Sequence, residues 1–80
     1  MEDLTSFSKL DLQQKVLMLI SNGRFLTSTQ SKNKAFTLYF LNGYFVEVIL
    51  NLTKKELKEI TPFKKGSRFE KYLSDIKLPF

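Results

Sequence analysis

Apolar residues recur along the chain first with a helical period, then with a strand period, then with a helical one again. Leu12, Val16, Leu19 and Ile20 fall on one helical face, widened by Leu17. Ser8 with Asp11 three residues on reads as a helix start, and Asn22-Gly23 as a stop with glycine in the left-handed conformation. A helix over 9–21 follows, with residues 1–7 as a frayed tail. Arg24–Gln30 reads as a strand, Gln30–Asn33 as a polar turn, and Lys34–Leu41 as a strand rich in aromatic residues. Asn42-Gly43 between two such runs predicts a two-residue type I′ hairpin, with Tyr44–Asn51 returning.

Leu52–Phe63 admits two readings. Thr53-Lys54-Lys55-Glu56 has capping-box spacing, and Leu57, Ile60 and Phe63 have helical spacing. The alternative is a turn at 52–55 and a fourth strand over 56–62. Its shortness, the stop at Thr61-Pro62 and the need to protect the edge of the preceding strand favour the strand. Ser67-Arg68-Phe69-Glu70 then caps a final helix over 68–77, whose stripe is Phe69, Tyr72, Leu73 and Ile76. The predicted fold is one α+β domain, a three- to four-stranded antiparallel meander flanked by an N-terminal and a C-terminal helix (α-β-β-β-β-α).

The hairpin register assigns faces. Ala35, Thr37, Tyr39, Leu41, Tyr44, Val46, Val48 and Leu50 share one. Phe36, Leu38, Phe40, Phe45, Glu47 and Ile49 share the other. Both are largely apolar, whereas a sheet with one wet face alternates. Three arrangements satisfy this: helices on opposite faces, both helices on one face with the other as an interface, or one face open as a ligand surface. The interface reading is preferred, because a bare patch of that size is unusual on a monomer. Glu47 would then be a charge that fixes partner register, or a rim carboxylate paired with lysine.

Size sharpens the point. Eighty residues make a small core, and such chains are usually supported by disulfides, metals or association. Cysteine and histidine are both absent, which excludes disulfides, thiolate sites, most zinc sites and the usual general base. The three glycines form neither a P-loop nor a dinucleotide fingerprint. No catalytic, cofactor or metal-binding residue is therefore assigned. The start of the chain lacks a signal pattern and no apolar run is long enough to span a membrane, so a cytoplasmic protein with no membrane partner is expected.

The chain's net charge is +5, and its positive excess lies downstream of residue 23. Lys54, Lys55, Lys58, Lys64, Lys65 and Arg68 are candidates for a basic rim facing nucleic acid. The helix–strands–helix order resembles double-stranded RNA-binding domains, but their Gly-Pro-x-His loop and lysine-led second helix are missing. Leu41-Asn42-Gly43-Tyr44-Phe45-Val46-Glu47-Val48 resembles a recurrent hairpin in small proteins of Bacteroidota bacteria. That resemblance spans about residues 12–76, implies no activity, and favours a strand over 56–63. The leading expectation is a non-enzymatic protein-interaction module, a homodimer or small accessory subunit. The alternative is a nucleic-acid-binding accessory protein.

Overall fold

A computed structural model of the chain describes residues 4–64 and Tyr72. Two short helices, α1 (Leu4–Ser8) and α2 (Leu12–Asn22), precede four strands, β1 (Arg24–Ser31), β2 (Lys34–Leu41), β3 (Tyr44–Asn51) and β4 (Glu56–Phe63). The strands form one antiparallel sheet in chain order. The fold is α+β. The segment from Glu56 is a strand, and its Pro62 is tolerated because β4 lies at the edge of the sheet, where an N–H can be spared. The helix expected over 68–77 lies outside the described residues, apart from Tyr72.

The N-terminal region departs from expectation. Residues 4–8 are helical rather than frayed, and Phe7 is fully buried. Ser8 closes α1 instead of opening α2. Its hydroxyl donates to the Thr5 carbonyl at 2.7 Å, and the Leu10 N–H donates to the Phe7 carbonyl at 3.1 Å. The true N-cap is Asp11. Its carboxylate accepts from the Gln14 N–H at 2.8 Å, and the Gln14 side chain accepts from the Asp11 N–H at 3.3 Å. This reciprocal box occupies two amides that no helical turn can satisfy.

Gly23 ends α2, but not by left-handedness. Its φ of −77° and ψ of 147° are extended, and its N–H donates to the Leu19 carbonyl at 2.9 Å. Space is the constraint, since a Cβ there would lie 2.7 Å from the Leu19 carbonyl oxygen. Backbone cannot swing aside as a side-chain tip can. Gly23→Ala should therefore destabilise the fold by about 1–3 kcal/mol, the usual penalty of overpacking, read from urea melts. An unchanged midpoint would show that the chain relaxes freely at this junction.

The turns fit their residues unevenly. Asn42 and Gly43 have φ of 51° and 88°, as a type I′ turn demands. The register implied by that turn follows, from Leu41 with Tyr44 to Ala35 with Leu50, and Lys34 pairs with Asn51 beyond it. Lysines take the positive-φ positions of the other two turns, Lys32 and Lys55, each at 55°. The Lys54 N–H donates to the Asn51 side chain at 3.0 Å. Those two turns are tied together by the Leu52 N–H, which donates to the Asn33 carbonyl at 2.7 Å.

Two irregularities of register decide where side chains go. Thr27 pairs with Leu38, yet Phe25 pairs with Tyr39, so one extra residue is accommodated between them. Phe25 is thereby delivered beside Tyr39, their rings edge-on at 6.1 Å. A second shift falls opposite Ile49 and Leu50, where Lys58 is the extra residue in β4.

The core has two layers. On the first face Leu41, Tyr44, Val46 and Ile60 pack with Phe7 of α1 and Leu19 of α2. On the second, Leu38, Phe45 and Phe63 pack with Tyr72. Each face is partly covered by the chain itself, one by the short helices and the other at Tyr72.

Candidate functional site

The face expected to remain for a partner is largely closed within the protomer. Leu38, Phe45, Glu47 and Ile49 are buried and Phe36 is half-buried; Phe40 alone of the six is exposed. Tyr72 contributes to that closure. Its ring joins Leu38, Phe45 and Phe63, and its hydroxyl donates to Glu47 Oε2 at 2.8 Å. Glu47 lies across β3–β4 from Thr61, whose hydroxyl donates in turn to Glu59. A buried carboxyl must be hydrogen-bonded to be tolerated, and here one donor comes from within the same chain. The case for docking on Phe36, Leu38, Phe45, Glu47 and Ile49 gives way accordingly.

Apolar surface is left over elsewhere. α2 is too short to blanket the first face, and beside it runs a cleft of about 160 Å³. Val16 and Ile20 form one wall, Tyr39, Val48 and Leu57 the floor and the other wall. On the rim of α2, Ile20 is 75% exposed and Leu17 55%. Phe25, delivered by the β1 irregularity, is 58% exposed against Tyr39. Residues 16–22 carry no charge, and neither do the cleft walls. Side by side lie a greasy ridge and a greasy trough.

No family model, curated protein or solved structure matches this chain. The surface must therefore be read from its own chemistry. Among the described residues no three His, Cys, Asp or Glu side chains are grouped to hold a metal ion. No helix among them is long and apolar enough to cross a membrane.

The basic candidates divide. Lys54 and Lys55 are exposed on the β3–β4 turn, and Lys58 is exposed on the β4 irregularity. Lys64 is exposed just past the far end of β4, about 25 Å away at the usual rise of a strand. Lys65 and Arg68 lie outside the described residues. Two lysines not singled out from sequence join the first group. Lys32 is on the β1–β2 turn, and Lys34 is the first residue of β2. Lys34 approaches Lys58 across β3. A hydrogen-bonding approach to the Lys58 side chain, then that side chain's charge, hold the Lys34 ammonium below its ordinary lysine pKa; burial adds to this and Glu59 opposes it. Only the register connects positions 34 and 58, which is why sequence spacing could not.

Proposed function

We propose that this protein is a non-enzymatic interaction module that pairs with a second copy of itself through the α2 ridge and the adjoining cleft. The observation that carries this reading is the neutral apolar ridge beside a neutral apolar trough, on a chain of net charge +5. Two cationic molecules repel unless they meet where charge is absent, and here that place is also the greasiest exposed surface described. A ridge next to a groove is self-complementary. Under a two-fold axis the Leu17/Ile20 ridge of each copy enters the trough of the other. Association also suits a small chain without cysteine for which burial within one protomer is limited.

The magnitude is testable. Burying an isoleucine side chain contributes about 1.5–3 kcal/mol, and the two-fold axis uses Ile20 twice. Ile20→Glu should therefore weaken dimerisation by about 10²–10⁴-fold. Sedimentation velocity across low to high micromolar concentration should show wild type moving to dimer mass and the variant remaining monomeric. Stability of the isolated protomer should change by no more than about 0.5 kcal/mol, as at other surface positions. A wild-type chain that stays monomeric throughout would rule the reading out.

A further inference from the structure

The end of the sheet away from the Asn42-Gly43 turn carries an unusual concentration of one sign of charge. Two turns meet there, Lys32-Asn33 between β1 and β2 and Leu52–Lys55 between β3 and β4. The hydrogen bond from the Leu52 N–H to the Asn33 carbonyl holds them side by side. Since strands lie about 4.8 Å apart, the turn centres are separated by about 10 Å. Lys32, Lys54 and Lys55 stand on the turns, with Lys34 and Lys58 just behind. Glu56 and Glu59 are the acidic residues nearby in β4, so among the described residues five lysines face two glutamates.

Within this group Lys34 and Lys58 are brought together across an intervening strand. The neighbouring Lys58 side chain, by hydrogen bonding and by charge, disfavours the charged form of Lys34. Nothing in local backbone propensity calls for lysine at either position, and Lys58 is the extra residue at the β4 irregularity. An anionic oxygen between the two ammonium groups would relieve the repulsion and accept from both.

We propose that this lysine-tipped end binds the phosphate backbone of nucleic acid without reading its bases. Lysine is a point charge suited to phosphate, whereas base edges are read chiefly by the planar fork of arginine. Arg24 is at the opposite end of β1, paired with Phe40. A 10 Å length of duplex carries about six phosphates, of which about half face one side. That number matches the net excess of charge at the turns. A membrane surface fits less well, since an inserting tip needs a prominent apolar side chain. Leu50 and Leu52, apolar residues at this end, are 38% and 37% exposed, far less than Ile20 at 75%. The site is separate from the α2 cleft and does not depend on dimerisation.

Fluorescence polarisation with a labelled 20-base-pair duplex tests this on the full chain. Three phosphates contacted give a log–log salt slope of about −2.7, so affinity should fall about 40-fold between 50 and 200 mM salt. The Lys34→Gln/Lys58→Gln pair should cut that slope by up to about 1.8. The control pair Lys9→Gln/Lys15→Gln, at the helical end of the chain, should leave affinity within about twofold. Thermal melts establish that each variant is folded. No retention of duplex at 50 mM salt overturns the proposal. So does an equal loss in the control pair, which would mean diffuse charge and no site. Competition by poly-glutamate as strong as by unlabelled duplex, or binding confined to phosphatidylserine vesicles, overturns it as well.

Discussion

Replacing Phe7 by alanine should cost about 3–5 kcal/mol of folding stability, the range for truncating a buried aromatic ring. The residue has no exposed surface, and its ring meets that of Tyr44 at 6.0 Å, tilted by 58°. It is the means by which a five-residue helix, far too short to be stable alone, is fixed to the first face of the sheet. A chain of this length is expected to have only about 4–12 kcal/mol in total. The substitution therefore removes a large share, and the melting temperature should fall by at least 12 °C at about 4–8 °C per kcal/mol. Thr5→Ala, on the exposed side of the same helix, should change stability by no more than about 0.5 kcal/mol. Urea melts of the two variants provide the comparison. A loss below about 1 kcal/mol for Phe7→Ala would mean that α1 is an ornament on a core complete without it.

The second large effect lies on the other face. Tyr72→Ala should destabilise by about 3–5 kcal/mol, because the ring packs on Leu38, Phe45 and Phe63. Tyr72→Phe separates ring from hydroxyl. It retains the packing but removes the 2.8 Å bond to Glu47, and should cost about 1–3 kcal/mol. Glu47→Gln leaves a carbonyl oxygen able to accept, so its effect should be smaller. The double variant should fall short of the sum, since residues that share a bond are coupled. Additive losses would mean that the hydroxyl and the carboxyl contribute independently. Tyr72→Ala should also gain a tendency to self-associate through the uncovered Leu38 and Phe45, visible as concentration-dependent mass.

The sheet was the most legible part of the molecule, for physical reasons. Asn42-Gly43 permits one kind of turn, and side-chain alternation has a period of two, so a single dipeptide determined the eight pairs of β2 with β3 and the face of each residue. The strand over 56–63 was readable from its length and its need for a neighbour. What escaped were features in which local and tertiary signals compete. Ser8 and Asp11 are both good caps, and only the Gln14 side chain, reaching back to the Asp11 N–H, separates them. Leu4, Phe7 and Leu10 recur every third residue, but the run is too short and too close to the start of the chain for that spacing to mark Phe7 as core. The irregularities at 25–27 and at Lys58 leave no compositional trace, although they place Phe25 and Lys58. Both faces were correctly read as apolar, but which one stays open depends on where Tyr72 lands and on how much α2 fails to cover. Neither follows from a repeat along the chain.

Strand order and chain order coincide in this sheet, and that has a consequence for biosynthesis. Each new strand emerging from the ribosome finds its partner already made, so long-distance searches are few and pairing can proceed from the front. The step that closes the second layer comes late, when Tyr72 arrives 25 positions after Glu47. Until that contact forms, Leu38, Phe45 and the Glu47 carboxyl lack the cover that Tyr72 provides.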